Sequence, residues 1–221
     1  MRPRERLRGR GYTREVVTVR LDQIVALCEL LDAELKQRER TGDVSVLAAG
    51  GAFEHWLSFE SRILLERHAS ALGVGKNWWT ANEHKKVDLS VWDETDVLRV
   101  AIEFKFAHNN KNWRHEADGV WEDLFPTNKR KAALRPGQRA SIVMVVGKVY
   151  DDPRNNDYPG QRYDLTAWEA DFWSYLLQST GEYAGKTRRA WIGHRFPIKD
   201  PNLSSSRTDH FVQLNLVWPM A

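Results

Sequence analysis

Two stretches of strict apolar and polar alternation flank the turn-like Asp93, Glu94, Thr95 and Asp96, and together they predict a β-hairpin over 86–106. Val87, Leu89 and Val91 alternate with Asp88, Ser90 and Trp92. After the turn, Val100, Ile102, Phe104 and Phe106 alternate with Arg99, Ala101, Glu103 and Lys105. With Thr95 and Asp96 as a two-residue loop, Asp88 stands directly opposite Glu103, and Lys105 follows two residues further along the same face.

The rest of the chain divides by the same logic. Leu21, Ile24, Val25, Cys28, Leu31 and Leu35 recur at helical spacing, which predicts a helix between Asp22 and Arg40. A second helix, over 52–72, follows Gly50 and Gly51 and stops at Gly73. Phe53, Trp56, Leu57, Ile63 and Leu64 form its inward stripe, and Glu60 falls in the same phase. Residues 75–86 read as a loop into the first strand. Val120, Trp121, Leu124 and Phe125 mark a helix ended by Pro126, and the β-branched run over 140–150 reads as a strand buried on both faces. Trp168, Phe172, Tyr175 and Leu176 stripe a helix from Thr166 to Gln178; 191–196 and 211–218 read as strands, the last with one apolar and one mixed face. This order predicts the α/β class, a mixed central sheet flanked by helices, as a single domain over 21–221 behind a basic arm at 1–20.

Composition changes the picture in three ways. With 42% hydrophobic residues and ten Trp in 221, the chain has material for one full core. Lys and Arg outnumber Asp and Glu by 33 to 30, and Arg2, Arg4, Arg6, Arg8, Arg10, Arg14 and Arg20 crowd the N-terminus, which suits a polyanionic partner. The single cysteine excludes an internal disulfide, and on the helical stripe Cys28 reads as a small buried hydrophobe. No apolar run is long enough for a membrane span or a secretory signal, so a cytoplasmic protein without membrane contact is expected.

The hairpin carries the chemistry. Like charges directly opposed across a sheet destabilise it, so Asp88 against Glu103 needs an offset. A divalent cation supplies one: Mg²⁺ takes oxygen ligands and keeps several waters. Lys105 would then hold the attacking water and stabilise charge building on phosphorus. An ordinary polar strand face with a surface ion pair is the competing reading. Glu60, a carboxylate on the packed side of a helix, also asks for a partner.

Asp88, fourteen residues, then Glu103-Phe104-Lys105 on an apolar strand resembles the Asp-x(n)-(Asp/Glu)-x-Lys signature of the PD-(D/E)XK restriction-endonuclease-like nucleases. Val87 stands where a proline often precedes the aspartate. The Gly-x-Phe-Glu opening that ends at Glu54 is similar to the first motif of Mrr-type members, and Asp123-Leu124 followed by Lys and Arg is similar to the helix beside the site in such nucleases. The resemblance implies a restriction-endonuclease-like core in α-β-β-β-α-β order, although one of the three strands after the first helix of that plan is not placed by pattern. It implies a Mg²⁺-dependent nuclease, with Mn²⁺ as substitute, hydrolysing phosphodiester bonds in nucleic acid, DNA foremost. Asp88, Glu103 and the Phe104 carbonyl would ligate the metal, Lys105 would position water, and Glu54 would reach the metal site. The helix carboxylate is thus Glu54 by resemblance and Glu60 by helical phase. Lys76, Lys85, Lys86, Lys111 and Arg114 are the expected phosphate contacts near the site mouth, with His108, Asn109 and Asn110 in the same groove. Trp78 and Trp79 either stack on bases or cap a core. A homodimer could cut both strands. The alternative function is a catalytically inactive protein of the same fold that binds nucleic acid or a protein partner.

Overall fold

The computed structural model describes residues 19–41, 44, 53–84, 87–110, 112–126, 139–149, 164–178, 184–199, 203–204 and 207–220. The expected basic arm, except Val19 and Arg20, lies outside these residues, as do Lys85, Lys86 and Lys111. Four helices and six strands are described: α1 (Leu21–Glu39), α2 (Phe53–Arg67), β1 (Trp79–His84), β2 (Val87–Trp92), β3 (Leu98–His108), α3 (Trp113–Leu124), β4 (Arg139–Gly147), α4 (Leu165–Gln178), β5 (Thr187–Pro197) and β6 (Phe211–Pro219). The chain is of the mixed α/β class. Its strands form one sheet in the order β1-β2-β3-β4-β6-β5. Only β3 and β4 run parallel, with α3 in the crossover between them. Among the described residues no helix is long and apolar enough to cross a membrane.

Alternation explains the layering. Leu89, Ile102, Phe104, Ile142 and Leu214 pack with α1 and α2 in one cluster, whereas Ala107, Val143, Val145 and Val217 pack with α3 and α4 in another. The odd positions of β3, including Glu103 and Lys105, therefore share the face covered by α3. Strand β4 is buried along its whole length, as a doubly covered strand requires. Strand β6 is buried on both faces too, and its mixed face has the polar groups paired: Asn215 and Gln213 accept from the Arg189 guanidinium, and Gln213 donates to the Gly193 carbonyl.

The β2–β3 hairpin reaches the expected register by an unexpected route. Leu89 pairs with Ile102, Ser90 with Ala101 and Val91 with Val100, which sets Asp88 opposite Glu103. The connection is not the two-residue turn. The Asp93 N–H bonds to the Val97 carbonyl at 3.0 Å, and Asp96 takes the left-handed conformation, φ 56°. Such a three-residue loop moves the tip by one residue. A bulge between Val91 and Trp92, with Arg99 as the extra residue, takes that shift back. Asp93 pins the loop: one carboxylate oxygen accepts from Thr95 N–H, Thr95 hydroxyl and Val97 N–H, and the other accepts from Arg99. Burial opposes the Asp93 charge, but the bonds from Val97, Thr95 and Arg99 outweigh it and hold the carboxyl well below its ordinary range.

Three other expectations change. Part of the stretch read as a loop, Trp79–His84, is edge strand β1, which pairs with β2 from Trp79↔Trp92 to His84↔Val87. Helix α2 stops at Arg67, and a turn closed by Val74 N–H on the Ala69 carbonyl leads to Gly73, φ 67°. Ile63 points outward, 41% exposed, while Ser58 and Ser61 face inward. On α1, Cys28 is fully buried and its thiol is pushed far up by burial.

Gly147 sits against Phe211 across the β4–β6 ladder, where an added Cβ would overlap the buried ring. Gly147→Ala should lower the unfolding free energy by about 1–3 kcal/mol, the usual cost of overpacking a core. Urea titration monitored by tryptophan fluorescence checks this; an unchanged midpoint contradicts the packing described.

Candidate active site at the open edge of β3

Strand β2 begins at Val87, but β3 continues past the level of Asp88 to His108. The recorded β2–β3 pairing stops at Leu89↔Ile102, and among the described residues the N–H groups at alternate positions beyond it are not met by a β2 carbonyl. Each is met by a carboxylate. The Phe104 N–H donates to Asp88 at 2.8 Å, Phe106 N–H to Glu54 at 2.9 Å, and His108 N–H to Glu116 at 3.1 Å. Acids from β2, α2 and α3 thus stand in a row along about 13 Å of strand.

Asp88 is held firmly. Its backbone carbonyl accepts from the Ser58 hydroxyl at 2.6 Å and the Asn82 amide at 3.3 Å. Its N–H faces a Glu103 carboxylate oxygen at 3.4 Å. Glu103 is buried, and Lys105 reaches Asp123 of α3 at 2.8 Å. Burial works against the Lys105 ammonium, yet Asp123, Glu54 and Asp88 together hold its pKa above the ordinary range. Glu54 is pushed up by burial, with Lys105 and the Phe106 N–H pulling the other way and Asp88 adding to the rise.

The structure brings Asp88, Glu103, Phe104, Lys105 and Glu54 together. Glu60 goes elsewhere: it pairs with Arg38 of α1 at 3.3 Å, and that guanidinium lies 4.9 Å from the Trp56 ring centroid. Its helical phase did signal a partner, though on α1. Lys76 precedes the Trp79 end of β1, away from the mouth of the site. Arg114 is exposed at the start of α3, over the rings of Trp113 and Tyr175. Asn109 and Asn110 are buried rather than lining a groove; Asn109 bridges the backbone of Lys148. No local pattern singles out Arg139. Buried at the start of β4, it donates to the Asp123 carbonyl at 3.0 Å, while its Nε and Nη2 find no hydrogen-bond partner among the described residues. Burial lowers its pKa, against the pull of Glu103 and Asp123.

No family model matches the chain, and no curated protein or solved structure matches it either. Among the described residues, no three His, Cys, Asp or Glu side chains are gathered so as to hold a metal ion. The fit of a cation therefore rests on fewer protein ligands. Asp88 and Glu103 supply two carboxylates, and the Phe104 carbonyl shares the open edge with its own N–H. Two carboxylates with retained waters could hold a Mg²⁺ ion without an all-protein cage.

At the far end of the row Glu116 takes the His108 N–H and lies 3.4 Å from the His108 ring. Burial pushes Glu116 up to about 7, and burial with the Lys148 charge pushes His108 down to about 4. The raised carboxyl stabilises the fold at low pH and loses that contribution as pH rises from about 4.5 through about 7. The depressed imidazole does the opposite, costing stability as pH falls from about 6.5 through about 4. Glu116→Gln leaves only the second effect, so its stability relative to the unsubstituted chain should climb between pH 5 and pH 7.5. Parallel melting-temperature curves for the two proteins across that range would show Glu116 to be an ordinary carboxylate.

Proposed function

We propose that the chain is a metal-dependent nuclease with a restriction-endonuclease-like core, hydrolysing phosphodiester bonds in DNA. The observation that carries this reading is the meeting of Asp88, Glu103 and Lys105 with Glu54 at one strand edge. The order α2-β1-β2-β3-α3-β4 supports it, since it follows the α-β-β-β-α-β plan of the nucleases that the motif resembles.

Asp88, Glu103 and the Phe104 carbonyl would hold Mg²⁺, which when bound supplies an activated water and stabilises developing charge. The remaining work falls to the chain. Ser58 and Asn82 fix the backbone of Asp88, so its carboxylate needs little reorganisation. Lys105 stays an ammonium, aimed by Asp123. It donates to the attacking water or to a non-bridging oxygen whose charge grows in the transition state. Glu54, half-buried and raised, accepts a hydrogen bond or a proton from that water. Arg139, beneath Glu103 and Asp123, offsets the negative charge of the acids. Water attacks phosphorus directly, and no covalent intermediate is required.

Purified protein should nick plasmid and degrade linear DNA with Mg²⁺ or Mn²⁺ and do neither in EDTA. Lys105→Ala should lower kcat by at least about 100-fold while DNA affinity in EDTA stays unchanged. Wild-type protein that retards DNA but never cuts it would instead mark a binding protein built on this fold. Equal loss of binding and cleavage in Lys105→Ala would remove the lysine from the chemical step.

A further inference from the structure

Lys105 is held from α3. Its stem runs past Gly119, where an added Cβ would stand 3.6 Å from Lys105 Cε, and its ammonium meets Asp123 at 2.8 Å. The ammonium is therefore placed only as firmly as the last turn of α3. Carbonyls in the final turn of a helix lack an intrahelical donor, and cations are stabilising there. Yet α3 has no basic residue in its last turn, where Glu122 and Asp123 stand instead. A cation arrives from β4. Arg139 is 1% exposed, on the face that Val143 and Val145 turn toward α3 and α4, where an apolar side chain would pack without the cost of burying a charge. Among the described residues its guanidinium makes one hydrogen bond, from Nη1 to the Asp123 carbonyl at 3.0 Å. One side chain thus brings both a donor and a positive charge to that helix end.

We propose that Arg139 is a positioning residue for Lys105: it ties the last turn of α3 to the start of β4 and so holds Asp123, and through Asp123 the ammonium, beside the acids. The inference rests on the nuclease reading for what Lys105 does to substrate. Its own support is the unbroken chain of contacts from the Arg139 guanidinium to the Asp123 carbonyl, and from the Asp123 carboxylate to Lys105. This role differs from a general offset of acidic charge, which any cation at position 139 would supply. The tie needs the reach and fixed fork of a guanidinium, which an ammonium on a flexible stem does not reproduce. Charge and tie are therefore separable by substitution.

A double-substitution cycle on the full chain tests this. Arg139→Lys keeps the charge and should lower kcat for DNA cleavage in Mg²⁺ by about tenfold, within the roughly 100-fold that an ångström of misplacement can cost. In the Lys105→Ala background the same substitution should change kcat by less than about twofold, because an effect carried by the ammonium vanishes with it. Arg139→Met should repeat the pattern with a larger loss in the unsubstituted background. An Arg139→Lys chain as fast as the wild type overturns the proposal, as does a loss of equal size in both backgrounds, the mark of damage elsewhere in the fold. Acylation of Lys105 in EDTA without DNA, followed by peptide mass spectrometry, reads the tie without any cleavage. Lys105 should be modified faster in Arg139→Lys than in the wild type, and an equal rate also overturns the proposal. A wild type that never cuts while Arg139→Lys labels faster sinks the nuclease reading alone. One that cuts, with labelling and kcat both unaltered in Arg139→Lys, sinks the tie alone, and one that neither cuts nor differs in labelling sinks both.

Discussion

Strand β3 outruns the neighbour it pairs with, and the site depends on that mismatch. A buried backbone N–H without an acceptor costs about 1–3 kcal/mol, so a strand extending past its partner must find acceptors elsewhere. At Phe104, Phe106 and His108 those acceptors are carboxylates, which bind N–H groups more strongly than neutral oxygens do. One structural need thereby gathers Asp88, Glu54 and Glu116 from three separate elements. The same edge bears the Phe104 carbonyl. A sheet with matched strand lengths would satisfy its own ladder and bring no acids together.

Collecting acids raises a second problem, their mutual repulsion, and the fold answers it from the opposite face. The parallel pairing of β3 and β4 places α3 in the crossover, where it covers the side on which Glu103 and Lys105 stand. Asp123 of α3 anchors Lys105, and Arg139, at the start of β4, reaches the carbonyl of that same Asp123. A buried guanidinium with two nitrogens unpartnered among the described residues is costly in an apolar setting. Next to Glu103 and Asp123 it offsets charge that water cannot reach.

The hairpin shows how far strand pattern reaches. Glu103 and Lys105 share a face because side chains alternate with period two, and Asp88 joins them because the register of the two strands sets it opposite Glu103. The turn itself differs from the simplest pattern: an added residue at the tip and a bulge at Arg99 cancel, and the register opposite Asp88 survives. Strand β1 carries no comparable signal. At a sheet edge beside solvent, Thr80, Asn82 and their neighbours need not be apolar, so alternation is absent although the pairing with β2 is regular. Ile63 misled for the converse reason, since an apolar residue at helical spacing need not be covered.

The α/β class, the hairpin and the shared face of two acids and a lysine all follow from local periodicity, because strand and helix repeat lengths are properties of the backbone. The choice between Glu54 and Glu60 does not. Both lie on α2, and which of them meets β3 depends on how that helix docks: Glu54 reaches the Phe106 N–H while Glu60 finds Arg38. Arg139 and Glu116 join the acids only through the order of strands and the placement of α3 over them. Contacts between elements far apart in the chain are decided by packing of whole layers, which no window of neighbouring residues encodes.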